Sequence, residues 1–305
     1  MTVSPDQIIV GSGTEYLYHR LIHLLEKDCV VGVDDPGFSH IKRILQIEGV
    51  SYRAIPMDEA GMCVDALGES GANAVHVSPM HHFPMGITMP VKRRVELLQW
   101  VNGAPGRYII EDDYNCEYLY EGSPVSSLFD LDVRGRVVYM NTFSKTVMPS
   151  LRVAYMVLPE KLMDRYLETM SFYSCTVSGE VQLRLARFIS EGHFERFIHR
   201  VRKHNVEQRK MLQDAFLDSD IAEKAHILKS YAGTHVLVKL VTPLSDVQIG
   251  ELLLRNGINA SLVSNHCEKK DSALKGLLVL NYSRITQRDI DYLIGVLEQA
   301  VSPSS

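Results

Sequence analysis

The sequence predicts an α/β fold: a mostly parallel, doubly wound sheet in the first domain, followed by a smaller α+β domain. Two observations carry this. Short apolar runs alternate with helical patterns through the first two-thirds of the chain, the order that βαβ units impose on parallel strands. A charged helical pattern from Phe194 to Leu217 then leads into a region reading strand, strand, helix, strand, strand, helix. The division is placed at 1–195 and 196–305.

Composition sets the frame. With 305 residues, 46% hydrophobic and 23% charged, the chain has apolar material for two cores. The formal net charge is −5 and no basic tail appears, so binding to nucleic acid or a membrane surface is not expected of this chain alone. Cys29, Cys63, Cys116, Cys175 and Cys267 are scattered without C-x-x-C spacing, which reads as idle thiols rather than disulfides or a zinc site. The start Met-Thr-Val-Ser-Pro-Asp is not a signal peptide, no run is long and apolar enough to span a membrane, and a cytoplasmic location is expected.

In chain order, Ile8–Val10 is a strand, Gly11-Ser-Gly13-Thr14-Glu15 a glycine turn, and Tyr16–Lys27 a helix with Leu17, Leu21, Leu24 and Leu25 on one face. Strand, glycine turn and helix start together aim backbone N–H groups at an anion. His19 and His23 stand four apart on this helix, but no third ligand is evident and no metal site is expected. Cys29–Val33 is a strand, Asp34–Phe38 a turn, and Ser39–Glu48 a helix stopped by Gly49. Tyr52–Pro56 is a strand, a short helix follows around Cys63–Leu67, and Ala74–Ser78 is a strand leading into Pro79-Met-His81-His82-Phe83-Pro84-Met-Gly86. Those two histidines read as ligand contacts or loop residues ahead of a metal pair. Pro90–Val101 is a helix with proline in its first turn.

Arg107–Glu111 is a strand that ends in Glu111-Asp112-Asp113-Tyr114. Three carboxylates can bind magnesium, but no G-K-[ST] phosphate loop accompanies them. A carboxylate here can also hold a proton on a pyridine nitrogen. Val137–Asn141 and Val153–Leu158 are strands flanking a loop that contains Thr142, Ser144, Lys145 and Arg152. A lysine in a partly dry site can lose its proton and attack a carbonyl carbon. Two hydroxyls and a guanidinium beside it can hold a phosphate. Pro159–Phe172 and Ser178–Glu191 read as helices. In the second domain the elements are His226–Ser230, His235–Leu240, Ser245–Asn256, Ile258–Val263, Leu277–Tyr282 and Thr286–Val301.

The motif T-F-S-K-x-x-x-P-S-L-R at 142–152 resembles the lysine motif of fold-type I pyridoxal-phosphate enzymes. It most resembles the aminotransferase-like domain of MocR/GabR transcription regulators, along about Gln7 to Val301. In those regulators a ring-stacking aromatic, an aspartate and a tyrosine stand 107, 33 and 31 residues before the lysine; Phe38, Asp112 and Tyr114 occupy those places here. The resemblance implies a large pyridoxal-phosphate-binding domain and a homodimer, with the cofactor held as an internal aldimine on Lys145. It further implies a phosphate cradle of Gly13, Thr14, Glu15, Thr142, Ser144 and Arg152, a ring stacked on Phe38, a ring nitrogen paired with Asp112 rather than Asp113, and a phenolic oxygen bonded by Tyr114.

Departures bear on what is bound. Pro79–Gly86 resembles the regulators' S-H-Q-F-P-T-G segment, and Phe83 replaces the asparagine that many aminotransferases place before that proline. His40 stands where the regulators have a carboxylate-gripping arginine, and Val279 where class I aminotransferases have another. His40, His82 and Arg284 are the substrate-binding candidates. The implied function is sensing of a small amino compound; the alternative is a free-standing class I/II aminotransferase acting on a 2-oxo acid. Intact Lys145, Asp112, Tyr114 and Arg152 argue against a third reading, a dimerising relic without cofactor. Neither the N-terminal arm of ordinary aminotransferases nor the regulators' winged-helix module is read here, so DNA binding is expected only if such a module is joined upstream.

Overall fold

A computed structural model describes residues 3–119, 125–229, 233–269 and 271–302. The chain forms two compact units. The first comprises Met1–Phe83, Ile87–Glu117 and Ser123–Arg196; the second comprises Pro84–Gly86, Tyr118–Gly122 and Phe197–Ser305.

The first unit runs β1 (Ile8–Gly11), α1 (Thr14–Leu24), β2 (Val30–Asp35), α2 (Ser39–Ile47), β3 (Ser51–Asp58), β4 (Gly61–Met62), α3 (Val64–Glu69), β5 (Ala74–Val77), α4 (Val91–Asn102), β6 (Tyr108–Asp112), α5 (Leu128–Leu131), β7 (Val137–Thr142), α6 (Phe143–Thr146), β8 (Ala154–Val157), α7 (Glu160–Met170) and α8 (Gly179–Ser190). Its eight strands are ordered β1-β8-β7-β6-β5-β2-β3-β4. From β7 across to β3 every pairing is parallel. β8 is antiparallel to both β7 and β1, so β1 runs in the direction of β7. The C-terminal ends of β1, β7, β6, β5 and β2 and the N-terminal end of β8 therefore lie along one edge, where open α/β sheets hold ligands.

Strand alternation decides which helices each side chain meets. Ile110, Val138, Met140 and Met156 pack with Leu17 and Leu21 of α1, Ile41 and Leu45 of α2, and Leu162 of α7. Ile109, Val75, Val77 and Val137 pack on the opposite face with Leu67, Leu97, Trp100 and Leu128 of α3, α4 and α5. Helices thus cover both faces, as the near-continuous apolar strands require. The mostly parallel, doubly wound sheet stands as expected, with only β4 and β8 running against the other strands. The short β4 and α5 were not legible in the sequence. The loop between the last two strands carries a helical turn, α6, and a 3-10 turn, Pro149–Leu151.

The long helix α9 (His193–Leu217) leaves the first unit after Arg196. The second unit continues with β9 (Ala225–Ile227), β10 (His235–Leu240), α10 (Asp246–Arg255), β11 (Ser261–Leu262), β12 (Leu277–Asn281) and α11 (Gln287–Val301). Its sheet, β11-β12-β10-β9, is wholly antiparallel. Val236, Val238, Leu278 and Leu280 face Ile249, Leu253, Ile290 and Leu293, with Leu212 and Phe216 of α9 completing the core. The strand expected at Ile258–Val263 is only the two residues of β11, and Ser230, expected to end a strand, lies outside the described residues.

Candidate active site on the strand ends of the first unit

The glycine turn after β1 is built by sterics. Gly13, the residue before α1, has φ +114° and ψ 163°, a conformation essentially restricted to glycine. A β-carbon there would lie 2.5 Å from Arg152 Nη2 and 2.9 Å from Glu15 Oε2. Arg152 is itself left-handed, at φ 47° and ψ 42°, and is the sole positive-φ residue other than glycine among the described residues. Such strain persists where the surroundings over-determine it and collects at functional sites. It points the guanidinium at the start of α1, where Arg152 donates to Glu15 at 3.0 Å. The first N–H groups of α1 lack intrahelical partners by geometry. Gly13, Thr14, Glu15 and Arg152 are thereby gathered at one place.

Thr142 caps α6: its hydroxyl accepts from Ser144 N at 3.1 Å and donates to Val153 O at 3.2 Å. Ser144 Oγ is buried with no hydrogen-bond partner among the described residues. Lys145, next to it, is exposed.

Strand alternation separates the acidic run. Glu111 turns to the α4–α5 face, where its two carboxylate oxygens accept from Leu128 N and Phe129 N at 2.8 and 2.9 Å. Burial nevertheless raises its pKa from 4.5 to about 7. Asp113 accepts from Tyr139 Oη at 3.0 Å, and burial followed by the charge of Glu111 raises it from 3.8 to about 8. Asp112 faces the other way, toward α1. Its Oδ2 accepts from Tyr18 Oη at 3.3 Å and lies 3.6 Å from His76 Nε2, while its buried Oδ1 has no partner among the described residues. Asp113 is thus a buried structural residue rather than a solvated one, and the three carboxylates do not converge as magnesium ligands.

Tyr114 gives its hydroxyl proton to His81 O at 2.9 Å. Phe38 is 42% exposed, stacked on His40 with ring centroids 4.6 Å apart and meeting Phe83 edge-on at 5.8 Å. His81 and His82 are buried, not solvated loop residues; His82 Nε2 lies 3.3 Å from Asp34 Oδ2. His40 remains exposed. Arg284 is exposed on the second unit beyond β12, and Val279 sits within β12 opposite Leu237 and Ser261.

Three contributors escaped the sequence reading. Tyr18 and His76 engage Asp112. A histidine amid the apolar residues of β5 was the available signal, since strands buried on both faces are otherwise apolar. The third is Arg94, fully buried in α4. It donates to Pro79 O and Met89 O at 3.1 Å each and to Ser126 O at 2.9 Å, fixing both ends of the segment that bears His81 and His82. It also donates to Met80 Sδ at 3.3 Å and lies 4.0 Å from Glu111 Oε1; apart from Met89, these partners are distant in sequence, which no local pattern announces.

Comparison with known proteins bears on the family and the fold. The profile of the family "Aminotransferase class I and II" matches residues 1–297. The HTH-type transcriptional regulator YdeL of Bacillus subtilis is 35% identical over 260 residues, covering 85% of this chain and 56% of the relative. YhdI of the same organism is 32% identical over 299 residues, covering 98% and 63%. PdxR of Corynebacterium glutamicum, a pyridoxine biosynthesis transcriptional regulator, is 29% identical over 267 residues, covering 87% and 57%. The chain thus spans somewhat over half the length of these curated relatives. Among solved structures, kynurenine aminotransferase of Pyrococcus horikoshii superposes with a TM-score of 0.83 at 24% identity, covering 97% of this chain and 76% of that one. An archaeal alanine:glyoxylate aminotransferase gives 0.85 at 22%, covering 98% and 76%. These likenesses show the fold, which is that of the fold-type I aminotransferases.

Proposed function

The chain belongs to the aminotransferase class I and II family, and we propose that it is the pyridoxal-phosphate-binding, ligand-sensing domain of a MocR/GabR-type transcription regulator. One observation carries the reading most. At a single sheet edge a lysine, a strained arginine and a glycine-opened helix accompany two buried oxygens, Asp112 Oδ1 and Ser144 Oγ, that have no partner among the described residues. Buried polar atoms are normally satisfied, and these suit a group bearing a protonated ring nitrogen and a phosphate.

The chemistry of the residues fits that cofactor. Asp112 would hold the ring nitrogen, with Tyr18 and His76 orienting its carboxylate. The turn at Gly13–Glu15, with Thr142, Ser144 and Arg152, would hold the phosphate, Arg152 exchanging Glu15 for a stronger anion. Phe38 would cover the ring, and Lys145 supplies the anchoring amine. When bound, the cofactor acts as an electron sink for amino compounds. Tyr114 has one proton to give, so bonding the phenolic oxygen competes with its bond to the His81 carbonyl.

Sensing is favoured over turnover because Val279 cannot pair with a carboxylate, and an anion left unpaired in a partly dry site is costly. His40 and His82, the latter set by Asp34, are the residues proposed to meet the ligand's acid group, with Arg284 as the further candidate. A cytoplasmic homodimer, joined upstream to a winged-helix module that contacts DNA, completes the proposal; its kinship to the HTH-type regulators supports it.

The test is spectroscopic. The cofactor-loaded protein is mixed with a panel of amino acids and amines, and the visible cofactor band is followed. The proposal expects a spectral response to a narrow set of amino compounds without sustained turnover. Rapid conversion by an ordinary amino acid, followed by complete turnover with a 2-oxo acid, would establish a working aminotransferase instead.

A further inference from the structure

We propose that His19, His23 and Glu48 form a binding site for a divalent transition metal, with Zn²⁺ as the ion that fits best. The two histidines lie four residues apart on α1, so their side chains stack on one helical face. Glu48 directly follows α2 and is brought beneath them by the packing of the two helices. Its Oε1 lies 2.7 Å from His19 Nδ1 and its Oε2 lies 3.6 Å from His23 Nε2. The imidazoles stand edge-on with centroids 5.0 Å apart. One ligand atom from each of the three residues falls within 4.8 Å of the other two.

Zinc bonds of about 2.0–2.1 Å in tetrahedral geometry set ligand atoms roughly 3.3 Å apart. The two histidine–carboxylate separations lie on either side of that value, so small rotations would complete the set. Those rotations are cheap, because both histidines are about half exposed. The backbone beneath them is not free to move. Leu17 and Leu21 of α1 share a core with Ile41 and Leu45 of α2, and the end of α2 is closed by Glu48 N to Ile44 O and Val50 N to Leu45 O. Two imidazoles and a carboxylate suit zinc and leave a fourth position for water. A bound ion would join α1, which opens with the Gly13–Glu15 turn, to α2, which begins directly after Phe38, at a place remote in sequence from Lys145. Without an ion the same three residues make a surface histidine–carboxylate pair, and the experiment separates the two.

The full chain, free of any affinity tag and stripped with a chelator, is titrated with ZnCl₂ by calorimetry in a non-coordinating buffer. The result expected is one saturable equivalent. Removing a ligand, as in His23→Ala or Glu48→Gln, should weaken it by more than the roughly 10–100-fold typical of losing an outer partner. The His199→Ala/His204→Ala double variant removes two exposed histidines of α9 and should leave binding unchanged. Circular dichroism confirms that each variant is folded. Absence of a saturable equivalent, or an unchanged equivalent in both His23→Ala and Glu48→Gln, overturns the proposal.

Discussion

Asp112 and Asp113 are adjacent in sequence and opposite in circumstance. Asp112 keeps a buried oxygen without a partner, whereas Asp113 accepts from Tyr139 and sits in the charge shadow of Glu111. Asp112→Asn should therefore cost cofactor binding roughly 1.5–3 kcal/mol, the worth of a hydrogen bond to a charged group, while Asp113→Asn leaves it nearly unchanged; titration of the apo-protein with pyridoxal phosphate checks both. Asp113 should instead appear in the pH dependence of stability. Its folded pKa of about 8 lies above the unfolded 3.8, so between these values the native state binds the extra proton. Stability is then highest on the acid side and declines as pH rises through the window, levelling off above about 8. Asp113→Asn should flatten that decline in urea melts across pH 4 to 9, and an unaltered slope would show that the carboxyl is ionised throughout. Gly13→Ala is the third residue-scale prediction. A left-handed backbone and a methyl 2.5 Å from Arg152 should cost roughly 1–3 kcal/mol of stability, read by denaturant melts, along with the affinity for the phosphate group.

At the scale of elements, the proposed phosphate cradle joins α1, α6 and the entry to β8. Arg152→Ala should raise the dissociation constant for pyridoxal phosphate severalfold and leave that for pyridoxal almost unaltered; equal weakening of both would put the phosphate elsewhere. Much of this arrangement was legible in the sequence. Leu17, Leu21 and Leu24 marked α1, the glycines marked the turn before it, and the apolar runs at 109–110, 137–140 and 153–158 marked three strands. The same period-two rule that defines a strand also sends Glu111 and Asp113 to one face and Asp112 to the other. Less legible was whatever depends on elements far apart in the chain meeting in space. Glu48 comes under His19 through helix packing, Arg94 finds carbonyls at Pro79 and Ser126, and Tyr18 reaches Asp112 across 94 residues. β4 and α5 were too short to show a period, and α5 is fixed largely by Ser127 and the Glu111 carboxylate at its start.

For the whole molecule, each unit has its own core, one built on a largely parallel sheet and the other on an antiparallel one. The described residues include no helix long and apolar enough to cross a membrane. The proposed cofactor site draws Lys145, Asp112, Arg152 and the Gly13 turn from the first unit, so pyridoxal phosphate should stabilise the fold by mass action. The gain is about 2.7 kcal/mol at one hundred times the dissociation constant, visible as a rise in melting temperature that Lys145→Ala diminishes. The central claim is that Lys145 is the residue that carries the cofactor. The most direct measurement is borohydride reduction of the cofactor-loaded chain, followed by proteolysis and mass spectrometry. The account predicts that the phosphopyridoxyl mass is found on the peptide containing Lys145 and on no other; labelling of a different lysine, or of none at saturating cofactor, would contradict it.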